Sequence, residues 1–159
     1  MYIIMAIVLA TKVLSGISTE ISLQIITKLF TTSKNIVTHV NNIKSYTNNE
    51  IADLLITEDV ETKILILENV INELNINNNT SKSIVECINK LHEILTKIEN
   101  ELPLIHDKII WNESIYILKS LRSYTFTEDV KNVNKYLKIL EIRKKLLLDT
   151  IKIKKFTIK

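Results

Sequence analysis

The chain has 159 residues, 46% of them hydrophobic, and a net charge of +3; that is long enough for one domain with its own core and too apolar for a disordered segment. It holds one glycine and one proline, where average composition would give about 11 and 8, which excludes phosphate-cradling loops, nucleophile elbows and tight β-hairpins in their usual forms. An all-α fold follows as the expectation: a single domain over residues 1–159, built as a bundle of about five mostly antiparallel amphipathic helices.

Residue choice carries a second bias. Nineteen lysines stand against two arginines, 29 isoleucines against 20 leucines, and 16 asparagines against three alanines. AT-rich codons produce this pattern, which points to a source such as a large DNA virus and bears on no mechanism. Cys87 is the single cysteine, so no internal disulfide can form, and an intracellular setting, cytoplasmic or within a viral particle, is expected.

Residues 1–10 are apolar throughout, half of the roughly 20 that a membrane-spanning helix needs, and they lack the basic start of a signal peptide. Residues 1–16 read as an apolar N-terminal segment that is buried or enters a neighbouring subunit, with Ile3, Ile4, Ile7 and Val8 as candidate interface residues; insertion at a membrane surface is the alternative. After Gly16, Ser18 or Thr19 can cap a helix over 18–46 whose apolar positions include Ile21, Ile25, Leu29, Ile36, Val40 and Ile43. Asn48 and Asn49 mark a turn before a helical stretch over 50–75 with a break near Thr57. Thr57, Glu58 and Asp59 have the form of a capping hydroxyl followed by carboxylates at the positive end of a helix dipole. Val60, Ile64, Leu67, Ile71 and Leu74 then give a stripe that predicts an antiparallel partner for the next helix.

That next helix, over 82–102, is the organising one. Ile84, Ile88, Leu91, Leu95, Ile98 and Leu102 alternate spacings of four and three, which only a helix turns into one face. Thr80, Ser81 or Ser83 can start it, Ser83 with Glu86 suggesting a capping box, and Glu86 with Lys90 and Glu93 with Lys97 stand at ion-pair spacing. Pro103 is expected to end or kink it, since proline lacks the amide donor and crowds the preceding turn. A further helix over 104–124 is apolar around much of its circumference, so Trp111, Ile115 and Leu118 are candidate interface residues. Thr127, Glu128 and Asp129 open the last helix, over 128–154, with the stripe Val130, Val133, Leu137, Leu140, Leu147 and Ile151 interrupted only by Lys144. The alternation at 151–159 makes a basic C-terminal tail that suits either an extended strand or a frayed helix end.

Charge is divided along the chain. Residues 47–102 carry eleven acidic and four basic side chains, whereas residues 131–159 carry ten basic and two acidic. The favoured expectation is that the basic last helix lies against acidic helices of its own chain or of a neighbour. The alternative is a polyanion or an anionic membrane surface, met non-specifically through Lys135, Lys138, Arg143, Lys144, Lys145, Lys152, Lys154 and Lys155. A single Arg in that set serves base readout poorly.

No motif assembles a reaction centre. His39, His92 and His106 stand at none of the spacings that bring metal ligands onto one helical face, and no catalytic, cofactor-binding or metal residue is assigned. The asparagine triplets at Asn78, Asn79 and Asn112 match the glycosylation pattern by composition alone. The functional expectation is a non-enzymatic structural or protein-interaction protein, self-associating or part of a larger assembly, without a small-molecule substrate.

Overall fold

The computed structural model describes residues 2–46, 49–74, 80–115 and 123–157, with side chains described between residues 23 and 154. Five helices and no strand occupy these residues: α1 (Tyr2–Lys44), α2 (Glu50–Thr57), α3 (Val60–Glu73), α4 (Lys82–Ser114) and α5 (Thr127–Thr157). They pack as the all-α bundle that the periodicities predict.

The stripe along α4 sits at the centre, and it is longer than its sequence suggests. Ile88, Leu91, Leu95, Ile98 and Leu102 are joined beyond the proline by Ile105 and Ile109, all at most 2% exposed. Cys87 and Ile94 widen the buried face, because α4 is covered from two sides, by α1 and by α5. From α1 come Leu29, Ile36, Val40 and Ile43, and from α5 come Val133, Leu137, Leu140 and Leu147. Each such aliphatic side chain contributes about 1.5–3 kcal/mol when it leaves water, so the α4 seams dominate the core.

Chain direction follows from pairs of contacts. Lys44 pairs with Glu61, and Phe30 and Lys34 share a groove with Glu68 and Asn72, so α1 and α3 are antiparallel. Cys87 lies by Thr150, Lys108 by Asp129 and Asn112 by Tyr124, so α4 and α5 are antiparallel as well. Between α1 and α4 the numbers rise together: Asn35 donates to Glu99 at 2.6 Å, and the Tyr46 ring meets His106 edge-on at 5.6 Å. These two helices run parallel. The helices α2 and α3 together form the return leg that makes this arrangement possible. The sequence predicts α3 as the partner of the central helix; α3 packs chiefly on α1 instead, because α1 and α5 already cover the buried faces of α4.

Several boundaries differ from the sequence expectations, each for a local reason. Gly16 does not divide an N-terminal segment from a helix starting at 18; α1 is continuous from Tyr2 to Lys44, and one glycine costs only about 1 kcal/mol in a helix of that length. Pro103 does not end α4, nor does a separate helix begin at 104; one helix continues to Ser114, and residues 116–122 of the expected segment lie outside the described residues. Leu102 and Ile105, both fully buried on either side of Pro103, anchor the helix against the loss of one hydrogen bond. Thr57 caps nothing: it ends α2, and α3 starts after Asp59, whose φ of 45° puts it in the left-handed region. Aspartate tolerates that conformation better than most residues. Asn49, expected in a turn, is the cap of α2, its side-chain oxygen accepting from the Ile51 amide at 2.9 Å. Ser83 and Glu86 form no capping box; Ser81 is the N-cap of α4, without a side-chain cap bond. The strand alternative for residues 151–159 gives way to helix through Thr157.

One side chain near the end of α4 holds the backbone that leads into α5. The Asn112 amide nitrogen donates to the Tyr124 carbonyl at 2.9 Å, and its oxygen accepts from the Tyr124 amide at 2.7 Å. The triplet that resembles a glycosylation signal thus serves as a clasp.

Pro103→Ala restores a backbone donor inside a continuous helix and is expected to raise unfolding free energy by up to about 3 kcal/mol. Urea denaturation followed by circular dichroism checks this: a midpoint below that of the parent chain would show that the proline ring's packing outweighs the restored bond.

Candidate interaction surface

The last helix buries one face and leaves a second amphipathic face outward. Val133, Leu137, Leu140 and Leu147 turn inward. On the opposite side Ile142 is 67% exposed, Leu146 55% and Ile153 66%. These three stand at i, i+4 and i+11, which at about 100° per residue keeps them within roughly 40° of arc. Alongside them run Lys131, Lys138, Lys145 and Lys152, one per heptad and all exposed. The result is an apolar ridge bordered by a lysine row.

The eight basic residues singled out from sequence do not act alike. Lys135, Lys138, Lys145, Lys152 and Lys154 are exposed and have no ion-pair partner among the described residues. Arg143 turns back to α4, where its guanidinium donates to the Lys90 carbonyl and lies 3.7 Å from Glu93. Lys144, at the interrupted position of the buried stripe, is only 17% exposed and carries its ammonium out to Glu141 at 2.7 Å; long lysine stems do this routinely. The side chain of Lys155 lies outside the described residues.

The candidate interface residues also separate. Ile3, Ile4, Ile7 and Val8 belong to α1 by backbone, and their side chains lie outside those described. Trp111 is 51% exposed and Ile115 half-buried, while Leu118 lies outside the described residues. Leu104 and Ile110 are exposed too, whereas Ile105 and Ile109 are buried, so this stretch has one core face rather than burial on several sides.

Three acidic groups of the middle helices are paired with bases of the same helices or of α1. Lys44 holds Glu61 at 2.8 Å, Lys63 holds Glu58 at 2.6 Å, and Lys90 holds Glu93 at 2.6 Å. The last of these replaces both expected pairs, Glu86 with Lys90 and Glu93 with Lys97; the Lys90 bond, foremost, and the charges of Lys90, Arg143 and Lys97 lower the Glu93 pKa. Across the helices the one strongly buried acid is Asp129, 8% exposed and bound through both oxygens by Lys108 at 2.7 and 3.0 Å. That bridge joins α4 to the first turn of α5, a contact beyond the helix opening that the sequence predicts for Asp129.

A second surface was not foreseen. Between α1 and α3 lies a groove of about 590 Å³, with apolar lining from Phe30, Val37, Ile64 and Leu65 and charged lining from Lys34, Glu61 and Glu68. Glu68 has no ion-pair partner among the described residues. Burial holds its carboxyl above the usual glutamate range, with the nearby Ser33 hydroxyl pulling the other way. Ser33 is fully buried, and its oxygen makes no hydrogen bond of normal length, so its influence on Glu68 is weak. The heptad offset between Glu61 and Glu68, on a helix that also exposes Leu65, was the available sequence signal.

Among the described residues no group of three or more His, Cys, Asp or Glu comes together to hold a metal ion. His106 stacks on Tyr46, and His39 and His92 are half-buried on separate helices. No described helix is long and apolar enough to cross a membrane.

Because the folded chain raises the pKa of Glu68, its carboxylate is carried at a cost once pH rises through that raised value, and the cost is absent below the ordinary glutamate range, where the folded and unfolded forms are both protonated. Glu68→Gln is therefore expected to raise the melting temperature at pH 7 and to leave it unchanged near pH 3. Thermal denaturation of both proteins across that range checks the sign; an equal gain at both ends would assign the effect to something other than titration.

Comparison with protein-family models, with curated proteins and with solved structures finds no match.

Proposed function

We propose that this chain is a non-enzymatic helical interaction protein, self-associating or part of a larger assembly, and that it meets its partner through the outward face of α5. The observation that carries this reading is the ridge itself: Ile142 and Leu146 are more than half exposed on a helix whose other face is fully engaged. A bordering row of Lys138, Lys145 and Lys152 forms no ion pair among the described residues. Apolar residues in line on a surface helix, rimmed by charge, suit docking of a partner helix or surface. The lysines add attraction at a distance and register at contact. Among the described residues the expectation that α5 neutralises acidic helices of its own chain is carried by one pair, Arg143 to Glu93, which favours an acidic surface on another molecule. The free, buried Cys87 supports an intracellular setting.

A second reading has its own support. Lys131, Lys138, Lys145 and Lys152 fall one heptad apart, a row that could follow a polyanion or an anionic membrane surface, with affinity falling steeply as salt rises.

Three assays on the full chain test the proposal together: sedimentation velocity at increasing concentration, retention on heparin, and co-flotation with vesicles containing anionic lipid. At least one is expected to be positive and to weaken at least tenfold in Ile142→Ser/Leu146→Ser/Lys145→Gln, with helix content unchanged. Negative results in all three for the parent chain, or a positive result that the triple variant leaves intact, would overturn it.

A further inference from the structure

Resting on that reading, we propose that the acidic partner is a second copy of this chain, with the α5 ridge of one copy seated in the α1–α3 groove of the next. The two surfaces match in length and in charge spacing. The ridge from Ile142 to Ile153 and the groove from Glu61 to Asn72 each span eleven residues, about 16 Å at helical rise. Lys138, Lys145 and Lys152 repeat every seven residues, and Glu61 and Glu68 are seven apart, so both rows repeat at about 10 Å.

Chemistry matches as well. Leu65, 57% exposed at the groove, faces water in a single copy, and Leu146 would cover it. Among the described residues Glu68, in the groove, and Lys145, on the ridge, are each in no ion pair. Lys34, on the α1 wall of the groove, would repel the lysine row, and Asp149 is the acid beside Ile142 and Lys145 on the ridge. Setting Asp149 towards Lys34 and Lys145 towards Glu68 fixes the direction in which α5 enters.

Within one copy α5 packs on α4 and α2, while the groove is formed by α1 and α3. Ridge and groove are therefore different surfaces, and one copy offers both. In an open pair one ridge and one groove stay unfilled, so unless a two-fold axis seats both ridges at once the contact extends into a ring or an open row.

The test uses sedimentation velocity on full-length chains with complementary defects. The parent chain is expected to form species beyond a dimer as concentration rises. A ridge variant, Ile142→Ser/Leu146→Ser, and a groove variant, Leu65→Ser/Glu68→Lys, are each expected to associate at least tenfold more weakly. Mixed, they should recover a one-to-one complex that grows no further, because one intact ridge meets one intact groove and the free ends are both defective. If either double variant loses helix content, Lys145→Glu and Glu68→Lys alone supply the same comparison. A mixture that gives no complex would overturn the inference. So would a monomer at every concentration: such a monomer that still binds heparin or anionic vesicles leaves the α5 reading standing, and one that binds neither removes both.

Discussion

Everything in this fold depends on the burial of α4 from two directions. A helix covered on one side needs a stripe; α4 has a stripe broadened by Cys87 and Ile94 because α1 and α5 approach it from different sides. That double cover explains why Pro103 is carried in mid-helix. The buried pair Leu102 and Ile105 holds the backbone on course where an isolated helix would break. It also explains why α3 is left to the far side of α1, where it creates a groove instead of filling the centre. The external surfaces are consequences of that central allocation.

Much of the architecture was legible because helical periodicity is a direct record of burial. Ile88, Leu91, Leu95, Ile98 and Leu102 were identifiable as a core face, and so were Val60, Ile64, Leu67 and Ile71 on α3 and Val133, Leu137, Leu140 and Leu147 on α5. What failed were the punctuation rules. Gly16, Pro103 and Thr57 are local signals whose cost is at most a few kcal/mol, and tertiary packing on α4 or the simple continuity of a long helix can exceed that. Partner choice also escaped, since a stripe says that a face is covered and not which helix covers it. The parallel course of α1 and α4 is invisible in either sequence segment alone.

The interaction surface was legible in part for a related reason. Counting charge located the basic last helix, but a count cannot tell an outward lysine from one that closes a local pair. Lys144 pairs with Glu141 and Arg143 reaches back to α4, whereas Lys138, Lys145 and Lys152 remain in water. The exposed Ile142 and Leu146 are indistinguishable in composition from the buried Leu140 and Leu147; only the angle around the helix separates them, and that needs the core face to be known first. The α1–α3 groove joins Phe30 and Val37 to Glu61 and Glu68 across an interval that no periodicity spans.

The parallel course of α1 and α4 has a temporal side. Asn35 and its acceptor Glu99 are separated by 64 residues, so during synthesis at about 5–20 residues per second the apolar side of α1 waits roughly 3–13 s for its main cover to emerge. The helices α2 and α3 are the ones begun and completed in the interval. The return leg, modest in the finished molecule, is thus the first shelter that the nascent chain can offer Leu29, Ile36, Val40 and Ile43, and the hairpin of α4 with α5 closes the structure last.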